Sequence, residues 1–169
     1  MAAYNLIATT TVGSGGAATI EFASIPQTYT DLLVVASART SRATVVPDIL
    51  QIRFNGLTTN VSYRHLYGSG SGVASENSTF GNAGNATASG ATASVFSSHS
   101  IYIPNYTGST NKSFSVDSVT ENNATESYQE LIAGLWSNTA AITSLTFASW
   151  TSATIQQYSS ISLYGIKNS

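Results

Sequence analysis

Short apolar runs separated by polar, glycine-bearing breaks recur along the whole chain, and this rhythm carries the first expectation of fold. Thr19-Ile20-Glu21-Phe22 alternates polar and apolar. Ile49–Phe54 sets Ile49, Gln51 and Arg53 against Leu50, Ile52 and Phe54, and Ser113–Thr120 sets Phe114, Val116 and Ser118 against Ser115, Asp117 and Val119. A period of two marks strands with one face in apolar company. Tyr4–Val12, Ala17–Ala23, Leu32–Ala38, Val61–Tyr67, Val95–Ile103 and Ile161–Ile166 read as further strands. In Val61–Tyr67, the residues Val61, Tyr63, His65 and Tyr67 share one face. Leu32–Ala38 begins with a nearly continuous apolar run, which predicts a central strand covered on both sides. No stretch shows a convincing helical period.

The breaks predict the connections. Gly13-Ser14-Gly15-Gly16 reads as the turn of a hairpin between the first two strands, and Asn55-Gly56 is a strong hairpin signal between Ile49–Phe54 and Val61–Tyr67. Gln129–Trp150 holds both tryptophans and reads as a third hairpin. In it Leu131, Ile132, Leu135 and Trp136 face Ile142, Leu145, Phe147 and Trp150 across a Ser137-Asn138-Thr139 turn. Trp136 and Trp150 are expected as structural core, with Trp136 enclosed between sheets. Gly68–Ser94 is low in complexity and has few residues able to bury area, so a long exposed loop is expected there. Phe80, its one large apolar residue, should pin that loop to the body or to a neighbouring subunit. About eight to ten short strands with turns between them predict one all-β domain over residues 1–169, an antiparallel β-sandwich of jelly-roll type.

Composition narrows the function more than the fold. Only 8% of residues are charged, against about 25% in ordinary soluble domains. Apolar content is normal at 42%, so Ser, Thr, Asn and Gly have replaced the charge rather than the core. A net charge of -2 with six basic residues argues against a nucleic-acid-tracking surface. The absence of cysteine excludes thiolate metal sites and thiol catalysis. No run approaches the roughly 18 apolar residues of a membrane span, and the N-terminus lacks the basic and apolar regions of a secretory signal. A soluble chain made in a cytoplasm is expected, with a neutral, hydroxyl-rich surface suited to a permanent assembly or to contact with sugars.

Candidate chemistry is sparse. His65 and His99 are the only histidines, and neither has metal-ligand spacing to a neighbour, so both read as packed or solvated strand residues. Asp117, Glu121, Glu126 and Glu130 form the only acidic cluster, which lacks the dense pattern of a calcium loop and reads as a solvated rim. No nucleophile elbow or phosphate loop is present. No catalytic residue, metal or cofactor is therefore expected. The aromatic residues are the more informative set: Tyr63, Tyr67, Phe80, Tyr102, Tyr106 and Tyr128 are candidates for interface or glycan contact.

Several segments together carry a resemblance: Ile25-Pro26-Gln27-Thr28-Tyr29-Thr30-Asp31-Leu32, Ile52-Arg53-Phe54-Asn55-Gly56, Ile103-Pro104-Asn105-Tyr106-Thr107, Gly134-Leu135-Trp136-Ser137-Asn138-Thr139-Ala140-Ala141-Ile142 and Leu163-Tyr164-Gly165-Ile166-Lys167. In that order they resemble small virion structural proteins of tailed double-stranded DNA phages, especially those of cyanobacteria, and are similar to modules at the ends of tail fibres. The motifs are structural and transfer no site residues. The resemblance implies a non-enzymatic virion protein, assembled in the host cytoplasm. As a head decoration or cement protein it would sit on the capsid as a homotrimer, bind the major capsid protein and bridge capsomers. The alternative it implies is a tail-fibre or receptor-binding module for host surface glycans. An initial Met without a shaft or coiled coil favours decoration.

Overall fold

A computed structural model describes residues 3–123 and 126–167. Twelve strands form two antiparallel sheets, and no helix occurs among the described residues. The strands are β1 (Ala3–Thr11), β2 (Thr19–Phe22), β3 (Asp31–Ala38), β4 (Pro47–Phe54), β5 (Val61–Gly68), β6 (Val73–Ser78), β7 (Asn82–Thr87), β8 (Ser97–Ile103), β9 (Lys112–Val119), β10 (Gln129–Trp136), β11 (Leu145–Ser149) and β12 (Ser160–Lys167). The large sheet has the order β1-β12-β3-β8-β9-β10-β5-β6, and the small sheet the order β2-β11-β4-β7. The all-β, two-sheet expectation holds. The strands number more than expected and divide eight and four, so a jelly-roll winding is not established.

Alternation sets the layers. In β9 and β10 every second residue is buried along the full eight-residue strand, and β8 repeats the pattern. The large sheet thus turns one face to the core and the other outward, the usual state of an antiparallel sheet. β3 is central, but its outer face is open: Val35 is exposed while Leu32, Val34, Ala36 and Ala38 are buried. The core joins both sheets, with the ring of Phe54 (β4) 5.4 Å from Trp136 (β10) and 5.2 Å from Phe114 (β9). All five residues of β11 are buried, as befits an inner strand of the small sheet.

The three expected hairpins are instead sheet-to-sheet crossings. β1 pairs with β12 whereas β2 pairs with β11. β4 lies in the small sheet and β5 in the large one, and β10 and β11 are likewise divided. The Asn55-Gly56 turn does form, with φ of 51° and 73°. Asn55 is then diverted from hairpin duty: its side-chain amide donates to Ala141 O, and its Oδ1 accepts from the backbone N–H groups of Thr143 and Ser144. The β4–β5 and β10–β11 crossings are laced to each other by this one residue. Lys112 seals the same corner from the core side. Its fully buried ammonium donates to the carbonyls of Gly108, Thr110 and Ala140, and lies 5.9 Å from the Trp136 ring centre. Burial pulls the Lys112 pKa down, and the carbonyl oxygens take the place of water around its ammonium.

Gly68–Ser94 is not a long exposed loop. It contains β6, which completes a true hairpin with β5, and β7, which is mostly buried. Small size, which made the segment look unable to pack, is what lets it pack. A Cβ on Gly81 would stand 1.9 Å from the Ile52 carbonyl oxygen. Ala83, Ala86, Ala88 and Ala91 are all buried. Phe80 does pin this segment, against Tyr63 at 5.1 Å and Trp150 at 4.1 Å between ring centres.

Trp136 is fully buried, but Trp150 is not core: it is 48% exposed just past the end of β11, with Phe80 stacked on it. Replacing Trp136 by Ala should cost about 3–5 kcal/mol in denaturant unfolding. Trp150→Ala should cost less, about 1–2 kcal/mol, because half its surface already meets water and the rest is held mainly by stacking on Phe80. A large loss at Trp150 would contradict this placement.

Candidate functional site

Two surfaces stand out, on opposite faces of the large sheet. The outer face carries exposed Leu66 and Leu131, directly opposite one another on β5 and β10, at 53% and 55% exposure. Val73, Val119 and Leu135 extend this apolar area, and Tyr102, Val35, Leu6 and Tyr4 continue it toward β1. Serines of β8 and β9 fill the spaces between them. Charge is thin here. Arg64 and Asp117 stand outward, and Asp31 accepts hydrogen bonds from the Tyr102 hydroxyl at 2.9 Å and the Asn105 N–H at 2.9 Å.

The second surface is a cleft of about 190 Å³ where the β5–β6 margin of the large sheet meets β4 and β7 of the small one. Tyr63, His65 and Tyr67 of β5 form one wall, because their even spacing turns all three inward. Pro47 and Ile49 of β4 and Asn82 and Asn85 of β7 face them, Glu76 and Tyr128 close the rim, and Glu130 lies at the floor. The rings touch in series. Tyr63 stacks on His65 at 5.6 Å, Tyr67 meets His65 edge-on at 4.9 Å, and Tyr128 lies 5.9 Å from Tyr67. Phe80 and then Trp150 continue the series beyond Tyr63 to the protein surface.

The floor of the cleft is fixed by a polar layer. Gly84 (φ +93°) lets β7 settle on the large sheet, where a Cβ would stand 2.3 Å from Ser118 Oγ and 3.0 Å from His99 Nδ1. That approach brings Asn85 to Glu130, whose carboxylate accepts from Asn85 N (2.6 Å), Asn85 Nδ2 (2.9 Å) and Ser118 Oγ (2.7 Å). His99 is buried beneath, with Nδ1 2.8 Å from Ala83 O and Nε2 2.7 Å from Ser97 Oγ. A carbonyl only accepts, so Nδ1 carries the hydrogen. Desolvation lowers the His99 pKa to about 4, against an opposing hydrogen bond to Ala83. His65 differs from His99: it is only 9% exposed, and neither ring nitrogen has a hydrogen-bond partner.

The cleft is electrostatically negative and rich in protonated hydroxyls. Tyr63 has its pKa raised chiefly by burial and further by Glu76 and Glu130, with an Asn82 hydrogen bond opposing. Tyr67 is raised first by donating its hydroxyl to Glu76, 3.1 Å away. Tyr128 is raised by burial and then by the charges of Glu126, Glu130 and Glu76. Among the described residues no lysine or arginine lines this space.

The sequence candidates therefore divide. Tyr63, Tyr67 and Tyr128 come together in the cleft, with Phe80 beside them, and Tyr102 lies on the outer face. Tyr106 is a correction: it is fully buried and its hydroxyl donates to Pro26 O, so it offers no contact surface. The acidic cluster also dissolves. Asp117 pairs with Leu131 facing outward, and Glu130 pairs with Ser118 facing inward, so the two carboxylates lie on opposite faces of the sheet. Among the described residues no three His, Asp or Glu side chains are placed to hold a metal. His65, Glu76, Asn82 and Asn85 were not singled out as contacts. The one signal available was the alternation that puts His65 between two tyrosines. No protein-family model, curated protein or solved structure matches the chain.

The buried histidine makes stability pH-dependent. Between the ordinary histidine pKa near 6.5 and the folded value of about 4, the unfolded chain binds a proton that the folded one does not. Stability from this group is therefore complete above about pH 6.5 and falls as pH drops toward 4, by about 3 kcal/mol in all. Urea unfolding at pH 7 and pH 5 should show the decline. A His99→Gln variant should be less stable at pH 7 but flatter in this window, and an equal slope in both proteins would contradict the assignment.

Proposed function

We propose that this chain is a non-enzymatic structural protein of a phage particle, most simply a head decoration protein that docks on the capsid through the outer face of its large sheet. The observation that carries this reading is the outer face itself: eight strands wide, thin in charge, with Leu66 and Leu131 paired on β5 and β10 toward its β6 edge. Exposed apolar patches of this kind mark protein interaction sites, and the resemblance to virion proteins suggests the major capsid protein as the partner. Trimeric self-association belongs to the same proposal. The filled hydrogen-bonding of Glu130, which three donors occupy, favours a structural over a catalytic role for the one buried carboxylate of the cleft.

A second reading, a tail-fibre or receptor-binding module for host glycans, draws support from the aromatic cleft. Locating the protein in the intact particle by cryo-electron microscopy separates the two, since density confined to the tail tip would refute decoration. A paired Leu66→Glu and Leu131→Glu variant should abolish binding to undecorated capsids. Both side chains are about half exposed, and two like charges directly opposite on β5 and β10 repel, so its unfolding free energy should fall by about 1–2 kcal/mol, little enough to keep the fold. Undiminished capsid binding by the folded variant would exclude the outer face as the docking surface.

A further inference from the structure

We propose that the cleft formed by Tyr63, His65, Tyr67, Tyr128, Asn82 and Glu76 is a carbohydrate-binding site that takes one uncharged pyranose ring. This deepens the glycan-binding reading above but does not depend on a place at the tail, because the site belongs to the isolated chain. Three independent features lead to it. The first is ring surface: three tyrosines and a histidine line a space of about 190 Å³, below the roughly 300 Å³ of drug-sized sites. Aromatic rings offer the C–H face of a sugar a large apolar surface with little conformational entropy to lose.

The second is the polar complement. Asn82, Asn85 and Glu76 bring amide and carboxylate groups to the same space, and Tyr63 and Tyr128 add protonated hydroxyls, that of Tyr67 being already donated to Glu76. With carboxylates present and, among the described residues, no cationic side chain in the lining, an acidic sugar or a phosphate is disfavoured and a neutral one accommodated. Asn85 and Glu130 form the positioning pair: Glu130 holds the Asn85 amide and keeps β7 at its distance from β5.

The third is His65. A buried imidazole without a partner carries an unmet hydrogen-bonding demand. The neutral ring has one donor and one acceptor nitrogen, and sugar hydroxyls both donate and accept. Both ring nitrogens are also closed to solvent, so a ligand hydroxyl that supplies what the protein does not enters by displacing the flanking Tyr67 ring, which meets His65 edge-on. Trp150 and Phe80, continuing the ring series outward, form a second platform on which a longer saccharide would rest.

The test uses the full chain and saturation-transfer NMR with galactose, glucose, methyl mannoside and N-acetylglucosamine at about 10 mM, in excess of millimolar dissociation constants. N-Acetylneuraminic acid serves as the anionic control. At least one neutral sugar should receive saturation and shift the His65 ring nitrogen resonances. Tyr67→Ala and Tyr128→Ala should each weaken its binding by about tenfold. Both residues sit at the open side of the cleft and are only partly buried, so their variants should keep the wild-type melting transition. Trp150→Ala should leave a monosaccharide bound as before. No transfer to any of the four neutral sugars, binding of the anionic control alone, or undiminished binding in both tyrosine variants overturns the assignment. A negative result here leaves capsid docking standing, and a failed docking experiment leaves this site standing.

Discussion

The constraint on which the structure turns is one of coverage: eight strands present an inner face that four strands must cover. The hydrophobic term requires that face to be dry, and the small sheet does most of the work through Phe54, Phe147, Leu50 and Ile52, none of which reaches solvent. β7 closes down over β8, β9 and β10 because Gly84 and its two alanines allow the backbone to approach. Toward β5 and β6 the covering strands run out. There the inner face is finished by side chains instead, in the aromatic series from Tyr128 to Trp150, and the space they leave is the cleft. The candidate site is thus a consequence of unequal sheets rather than an addition to them.

Unequal sheets also require frequent crossings, and the corners must be held. Asn55 ties two crossings together through four side-chain hydrogen bonds, and Lys112 gathers the carbonyls of two turns under Trp136. Arg39 plays the same part elsewhere: its guanidinium is buried and donates to the carbonyls of Ala91, Thr92 and Val95 and to Gln156 Oε1. In each case a cation or amide satisfies carbonyls that a turn has stranded away from any ladder. Removing such a group leaves several buried acceptors unmet, a cost of about 1–3 kcal/mol for each.

Which residues face inward was legible in the sequence, since the period of two is a local property. The β9 and β5 alternations placed Phe114, Val116, Tyr63 and His65 correctly. Which strand pairs with which is not local, and here the reading failed. Asn55-Gly56 signalled a turn and the turn exists, but its amide is spent on Thr143 and Ser144, almost ninety residues onward. Gly68–Ser94 misled for a different reason: burial was judged by side-chain size, whereas β7 is buried by close backbone approach. Trp150 misled because large aromatics average high burial, an average that says nothing of one ring at a strand end. The cleft was half legible. Its tyrosines were chosen for their chemistry, but Asn82, Asn85, Glu76 and Glu130 come from three other strands, and only the fold brings them to His65.

The scarcity of charge takes on a different meaning once the ions are located. Of six basic and eight acidic residues, five are buried: Asp31, Arg39, Asp48, Lys112 and Glu130. Buried charge is rare in proteins unless it is well bonded, and these five are bonded mostly to backbone and hydroxyl groups, with Arg42 and Asp48 the one ion pair among the described residues. The chain therefore uses five of its fourteen ions to hold buried polar groups and leaves the other nine, four basic and five acidic, thinly spread and nearly balanced over its surface. A neutral surface gains little from long-range attraction and loses little to salt. Recognition by such a protein must come from contact at short range, from the fit of a flat sheet face or of rings around a ligand. Both surfaces described for this fold are of that kind.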